Sequence, residues 1–484
     1  MLKTSDFLMD IKTVTEITRG KLVRKGHNNF FEGVSTDSRG PVKGTLFIPL
    51  AGERFDGHKF LKNAAQNGAA GILVARGKEV LYEDIPDHTT IIEVADTLKG
   101  LGDIAGWWRR HTNIPIAAVT GSSGKTTTKE MIASIGNRSG HMIKSEGNFN
   151  NLVGLPLSLL SIRAFHDTGV FELGANRPGE IGRLAEIADP DFAVITNVGP
   201  AHLAGFGSID AVREEKGRLF SSLKSGGTAI INRDDEHIRI LEDRWRGKAL
   251  TFGITEQAAV RAEHIFSRGE RGVSFTIKIG GLACGIDMTT LGAHNIYNAL
   301  AAASCCWAMG MGYEDICEGL RNFRQVDGRM TLYKFETGGA LIDDTYNANP
   351  SSVAEALKTL NDLREQGESI VVLGDMLELG DRAKNAHEEV GRLVAATGAS
   401  ALFLKGEFSK FVASGALQGG MKCDRIHVNV SPGDVISELR TSFHRDLWIL
   451  VKGSRSMRMD IFVEAIKKEL GIVFSCSKRG CREL

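Results

Sequence analysis

The sequence predicts an α/β protein of three units. These are a small N-terminal α/β domain, a central mostly parallel sheet of the P-loop ATPase type, and a C-terminal Rossmann-like doubly wound domain. Three observations carry that prediction. At 484 residues the chain is too long for one hydrophobic core. Short apolar runs alternate with helical patterns from about residue 114 onward, and the alternation restarts after Arg329. Between the run at 114–119 and the helical pattern at 129–135 stands Thr120-Gly-Ser-Ser-Gly-Lys-Thr-Thr, a glycine-rich strand-to-helix turn.

Composition narrows the class. Lys plus Arg and Asp plus Glu both number 59, so the chain is neutral, which argues against a general nucleic-acid or membrane-surface binder. Seven Cys with no Cys-x-x-Cys pair suggest neither a disulfide framework nor a zinc site, as in a reducing cytosol. The adjacent Cys305 and Cys306 read as core filler in an Ala-rich helix. No apolar signal core or bilayer-length run is present, and a cytoplasmic location is expected.

Taken in order, residues 1–95 read as the small module. Strands are expected at 34–37, 45–49 and 69–74, with a helix at 60–67 and a polar turn at Asp37-Ser38-Arg39. Asp96 is placed to cap a helix whose Leu101, Ile104, Ala105 and Trp108 share a face, so the boundary falls there. The central unit, 96–326, continues with strands at 114–119, 169–173, 192–197 and 227–231. A run of short alternations over 250–290 reads as an antiparallel annex. In the last unit, 327–484, strands are expected at 341–345, 370–373, 401–404 and 448–451. Asn349 and Pro350 are suited to start a helix there. No Gly-x-Gly-x-x-Gly fingerprint accompanies this unit, so a dinucleotide is not expected. The tail from 475 has little to pack.

Candidate chemistry gathers around the glycine-rich turn. Backbone N–H groups around Gly121, Ser122, Ser123 and Gly124 can meet phosphate oxygens. Lys125 can reach the terminal phosphates, and the Thr126 hydroxyl can bind magnesium. A strict Walker A pattern would need glycine at 119, where Val119 stands, so an ordinary βα turn with a surface lysine is the competing reading. Glu172 ends an apolar strand, where a carboxylate is costly without a cation; Arg177 or Arg183 could supply one. His202 follows the strand ending at Asn197 and is either structural or a ligand. Lys216 falls in the middle of the apolar face formed by Ile209, Val212, Leu219, Phe220 and Leu223. An inward lysine is paired or functional, because burial disfavours the ammonium form. Asn295 and Asn298, three apart near a helix start, could read a base, bind phosphate or cap the helix. Asp343-Asp-Thr-Tyr-Asn-Ala-Asn-Pro350 lies at a strand end, the usual ligand edge of an open α/β sheet. Arg329 precedes that unit and could swing toward a nucleotide.

Together these strings resemble the Mur ligases of bacterial peptidoglycan synthesis, over nearly the whole chain. The resemblance rests on the phosphate loop and on Gly147-Asn-Phe-Asn-Asn-Leu-Val-Gly-Leu-Pro-Leu. It also rests on Glu172-Leu-Gly-Ala-Asn-Arg-Pro-Gly-Glu, Thr196-Asn-Val-Gly-Pro-Ala-His-Leu, Glu215-Lys-Gly, Gly292-Ala-His-Asn-Ile-Tyr-Asn and the 343–350 string. It is strongest to the branch that adds D-alanyl-D-alanine to UDP-N-acetylmuramoyl-tripeptide. The branch adding the third residue usually carries Asp-Asn-Pro-Arg, which is absent here; folylpolyglutamate synthases lack the Tyr-Asn-Ala-Asn string. A P-loop switch ATPase without an acyl acceptor is the reading from another class, and the second ligand-edge domain argues against it.

The resemblance implies an ATP- and magnesium-dependent, monomeric ligase working through an acyl phosphate. The N-terminal unit would bind the UDP substrate, with Ser38 and Arg39 against the UDP. Gly121 to Thr127 and Lys125 would hold the ATP phosphates. Thr126 and Glu172 would hold one magnesium and His202 a second, and Lys216, as a carbamylated lysine, would be an anionic magnesium ligand. Asn295 would contact adenine, and Arg329 and Asp344 the phosphates and ribose. Asn150 and Asn151 would lie on the substrate path, while Tyr346, Asn347 and Asn349 would face the incoming dipeptide. With sites on three domains, closure on ligand binding is expected.

Overall fold

The computed structural model describes residues 7–52, 55–78, 82–365, 367–442, 446–472 and 474–475. Three sheets organise it. The first has five strands in the order Lys21–Arg24, Thr90–Val94, Gly71–Ala75, Leu46–Phe47 and Val34–Ser35, parallel except for the first. The expected strands at 34–37 and 45–49 shorten to two residues each. Thr90–Val94 and the edge strand Lys21–Arg24 were not anticipated. In the latter, Lys21, Leu22 and Val23 are exposed, so an edge that packs little leaves no clean two-residue alternation in its sequence.

The central sheet has nine strands. Ile116–Thr120 sits between Thr168–Glu172 and Phe192–Ile195, all parallel, with Met142–Lys144 at one edge. All five residues of Ile116–Thr120 are buried, which is why its sequence reads as an unbroken apolar run. On the other side follow Thr228–Asn232, Lys248–Gly253 and Val260–Ser267, still parallel, then Val273–Ile279 and Leu282–Met288, antiparallel. The expected antiparallel annex is thus the far side of the main sheet, antiparallel in its last two pairings and parallel before them. Its Val273–Ile279 strand alternates buried and half-buried residues, the signature of one covered face.

The third sheet has seven strands: Ile426–Val428, Ala401–Lys405, Glu368–Gly374, Leu447–Lys452, Gly339–Asp344, Thr331–Lys334 and Phe474–Ser475. All pairings but the last two are parallel. Ser475 pairs with Tyr333, so the tail contributes its first residue to the sheet edge; residues 476–484 lie outside the described residues.

Helices cover both faces of the two large sheets. Asp96 caps the helix Thr97–Thr112 by accepting from Leu98 N and Lys99 N. Leu101, Ile104, Ala105 and Trp108 of this helix join one apolar core that takes in Phe31, Leu73 and Ile92 of the first unit and Ile116, Phe171 and Leu184 of the second. The helix is therefore shared packing between the units. Cys305 and Cys306 are fully buried in the helix His294–Ala308. Among the described residues no helix is long and apolar enough to cross a membrane.

Asn349 caps the helix Pro350–Arg364 reciprocally with Ser352: Ser352 N donates to Asn349 Oδ1 at 2.8 Å, and Asn349 N donates to Ser352 Oγ at 3.0 Å. Asn349→Ala is expected to cost about 1 kcal/mol, measured as a lower urea midpoint, whereas Asn349→Ser keeps the cap and the midpoint. Any activity lost by the serine variant then reports a role of the amide beyond the fold.

Candidate active site

In an open parallel sheet, ligands bind beyond the carboxyl ends of the strands where the strand order reverses. Here that point is the end of Ile116–Thr120, with one neighbour ending at Glu172 and the other running on to Asn197 and His202. The helix Lys125–Ser139 starts at once after the loop, so Lys125 and Thr126 stand on its first turn, where N–H groups have no intrahelical acceptor. Gly124 precedes it at φ 77°. A Cβ there would fall 2.2 Å from Asn298 Oδ1, and one on Gly121 would fall 1.9 Å from Thr196 Oγ1, so both positions need glycine.

The loop is braced from the 196–199 segment. Ser122 N donates to Asn197 O at 3.0 Å, Ser123 N to Asn197 Oδ1 at 2.9 Å, and Thr196 Oγ1 to Ser123 O at 2.6 Å. The N–H groups of Ser122 and Ser123 are therefore engaged by protein, contrary to the expectation that they face phosphate. Asn197 does this bracing from inside a motif in which only His202 was singled out.

Under the loop, Thr126 Oγ1 donates to Glu172 Oε2 at 2.7 Å and Asn150 Nδ2 to Glu172 Oε1 at 2.9 Å. Glu172 is buried, and among the described residues it has no ion pair. Arg183, a suggested partner, is instead paired with Asp103 and Glu186. Asn151 uses its side chain locally, accepting from Val153 N and Gly154 N. Lys125 Nζ donates to Gly121 O at 2.9 Å; burial pushes its ammonium down, Glu172 opposes that, and Arg329 adds to it.

Lys216 is buried in the helix Ile209–Ser221, as its place in the apolar face demands. Among the described residues its ammonium makes no ion pair and no hydrogen bond. Burial, and after it the charge of Lys125, pushes its ammonium down from an ordinary 10.5 to about 7, against the pull of Glu215. Glu215 sets the helix in place: its carboxylate accepts from Gly179 N at 2.8 Å and Ile181 N at 2.7 Å, at the start of the helix Glu180–Ala188. A capping carboxylate supplied from another helix leaves no local sequence pattern.

The C-terminal unit forms the opposite wall of a cleft of about 400 Å³. Ser122, Ser123, Gly124, Lys125, Thr127, Asn295, Arg329, Asp344, Tyr346, Asn347 and Asn349 all line it. Arg329 Nη2 donates to Thr126 Oγ1 at 2.8 Å, and its guanidinium lies 4.1 Å over the Tyr346 ring. Lys452 Nζ bonds Asp344 Oδ2 at 2.5 Å and Asn347 O at 2.9 Å, tying neighbouring strand ends together. Tyr346, Asn347 and Asn349 thus share the cleft with the phosphate loop. Asn295 and Asn298 form a buried pair, Asn298 Nδ2 donating to Asn295 Oδ1 at 2.9 Å; Asn295 lies inside the helix start and does not cap it. His202, in the left-handed region at φ 54°, meets the C-terminal unit directly, with Nδ1 2.5 Å from Glu378 Oε2. Ser38 and Arg39 belong to the N-terminal unit: Ser38 is buried and Arg39 is exposed and paired with Asp37 at 2.9 Å. That guanidinium holds the Asp37 carboxyl well below the usual carboxylate range.

A glycine-rich loop at the switch point of one parallel sheet faces the strand ends of a second across a shared cleft, and sequence comparison assigns the class. Residues 31–107 match the model described as Mur ligase family, catalytic domain. Residues 119–306 match the Mur ligase middle domain, and 328–455 the Mur ligase, glutamate ligase domain. The chain belongs to the Mur ligase family. It is 34% identical over 455 residues to the UDP-N-acetylmuramoyl-tripeptide–D-alanyl-D-alanine ligase of Bacillus subtilis, covering 94% of this chain and 97% of that one. The Escherichia coli enzyme of the same name is 33% identical over 466 residues, covering 95% and 98%. Among solved structures, MurF from Acinetobacter baumannii superposes with a TM-score of 0.86 at 29% identity, covering 96% of this chain and 100% of that one. The MurF ligase from Thermotoga maritima in complex with ADP gives 0.80 at 28%, covering 90% and 97%.

Proposed function

We infer that this chain joins D-alanyl-D-alanine to UDP-N-acetylmuramoyl-tripeptide with ATP as the activating substrate, forming the pentapeptide precursor of peptidoglycan. The observation that carries this inference is the contact of Arg329 with Thr126, which brings a second ligand-edge sheet against a phosphate loop. A carboxylate is a poor electrophile until one oxygen becomes part of a leaving group. The tripeptide carboxylate attacks the γ-phosphorus, the bond to the β–γ bridging oxygen breaks, and ADP leaves. The dipeptide amine then attacks the acyl carbon, phosphate departs, the nitrogen loses a proton, and the amide remains. Lys125 and Arg329 are placed to offset the anionic charge that the first step concentrates.

Magnesium fits the Thr126–Glu172 pair. The donors are a hydroxyl and a buried carboxylate with no ion pair among the described residues, both hard oxygens. Among the described residues no three His, Cys, Asp or Glu side chains cluster as a metal site, which suits an ion held largely by substrate phosphates. When bound, magnesium screens the repulsion between phosphate and incoming carboxylate. We assign Lys216 as a carbamate: its neutral amine adds to the carbon of carbon dioxide and the nitrogen loses a proton, leaving an anion. With His202 it would form the second magnesium site. Asn295 is assigned to the adenine, Asp344 to the ribose, Ser38 and Arg39 to the UDP, and Tyr346, Asn347 and Asn349 to the dipeptide end of the cleft.

The test is phosphate release from ATP and magnesium, with the two substrates supplied singly and together. Release only with both, and a product with the mass of the UDP-muramoyl-pentapeptide, is the expected result. Release indifferent to both substrates would refute ligation.

A further inference from the structure

The loop after the strand Glu368–Gly374 is pinned at every residue leading to Glu378. Asp375 accepts from Glu407 N at 2.8 Å and Phe408 N at 3.1 Å. Met376 N donates to the buried His387 Nε2 at 3.0 Å, and Leu377 N to Ser454 Oγ at 2.9 Å. So many anchors on a short loop fix the direction in which the next residue leaves it. That residue, Glu378, sits in the left-handed region at φ 64°, where a non-glycine residue is uncommon and held only by its surroundings. It projects across the domain boundary and makes two contacts there. Its backbone carbonyl accepts from Ala204 N at 3.0 Å, and its Oε2 lies 2.5 Å from His202 Nδ1. Close packing continues beside it, since a Cβ on Gly380 would fall 3.0 Å from Ala204 Cα.

An ionised carboxylate can only accept, so the proton in this contact is on His202 Nδ1, and Nε2 of the neutral ring keeps its lone pair. A histidine that ligates a metal characteristically gives its other ring N–H to a carboxylate, which fixes tautomer and ring angle. Here that carboxylate comes from the opposite domain. Glu378 is also close enough to the phosphate-loop lysine, Lys125, for their charges to act on each other.

We propose that Glu378 is a positioning residue that makes the His202 ligand site dependent on docking of the C-terminal domain. The ring is aimed and its tautomer set only when the loop at 375–378 rests against Ala204. Assembly of the phosphoryl-transfer site is thereby tied to arrival of the domain that brings the second substrate. This rests on the assignment of His202 as a magnesium ligand.

Five proteins test it: the parent, His202→Ala, Glu378→Ala, Glu378→Gln and the double variant. Two quantities are read in each, kcat for ligation and the number of Mn²⁺ ions bound in the presence of a non-hydrolysable ATP analogue, counted by electron paramagnetic resonance. Glu378→Ala is expected to lower kcat about 10–100-fold and to weaken the second ion while the first is retained. The double variant is expected to be no worse than His202→Ala, because one residue acts through the other. Glu378→Gln, which keeps shape but not charge, should fall between parent and Glu378→Ala. Equal melting temperatures across the set exclude loss of fold as the cause. Parent-like behaviour of Glu378→Ala beside a damaged His202→Ala, or losses that multiply in the double variant, would overturn the proposal. A harmless His202→Ala would instead remove the ligand assignment, and the proposal with it.

Discussion

Lys216→Ala is expected to lower ligation about 10³-fold, more than removal of a single transition-state hydrogen-bond donor usually does at its lower bound. Bicarbonate alone should not restore the variant, while a small carboxylic acid that can occupy the vacated volume should do so in part. The reasoning starts from burial. Lys216 lies in an apolar helix face and makes no ion pair among the described residues, and burial pushes its ammonium down to about 7. Near neutral pH much of it is a free amine, the form that adds to carbon dioxide. Below 7 the amine is protonated and unreactive, so activity should fall on the acid side. Raising dissolved carbon dioxide should recover part of it at pH 6.5 and nothing at pH 8.5. Near-normal turnover of Lys216→Ala, or an acid limb indifferent to carbon dioxide, would end the carbamate assignment.

The same burial has a stability consequence with a definite sign. Between about 7 and 10.5 the unfolded chain holds a proton on Lys216 that the folded chain does not, so in buffer free of carbon dioxide stability rises with pH across that window. Below it both states are protonated and the full cost of the buried ammonium is present. Lys216→Met should therefore melt higher than the parent at pH 7, with the gap closing toward pH 10.5.

What the sequence made legible follows from which interactions are local. The phosphate loop, the inward Lys216 and the Asn349–Pro350 helix start each depend on residues within a turn or two of one another. Periodicity and capping chemistry therefore find them. Alternation placed the parallel strands because burial on both faces writes unbroken apolar runs. Thr90–Val94 escaped although it is apolar, since Glu93 interrupts it and a 3-10 turn rather than a long helix precedes it. The bracing by Asn197, the cap supplied by Glu215 and the reach of Glu378 are partnerships over tens or hundreds of residues. Each of those side chains looks like an ordinary surface polar group until the sheets are assembled.

Glu172→Gln separates function from fold most sharply. The buried Glu172 carboxylate makes no ion pair among the described residues and is held by hydrogen bonds from Thr126 and Asn150, with the Lys125 charge close by. The amide is nearly the same shape and can still accept from Thr126, while Asn150 can turn its own amide to meet the new N–H. Melting temperature is therefore expected to stay level or rise. Ligation is expected to fall about 10³-fold, or about 4 kcal/mol in the barrier, since a neutral oxygen is a far weaker magnesium donor. Magnesium-dependent ATP binding, followed by calorimetry, should weaken in parallel. A folded chain that gains stability as it loses turnover is the outcome when a strained charge is kept for chemistry. A variant that loses both together would mark Glu172 as a structural residue and move the magnesium site elsewhere.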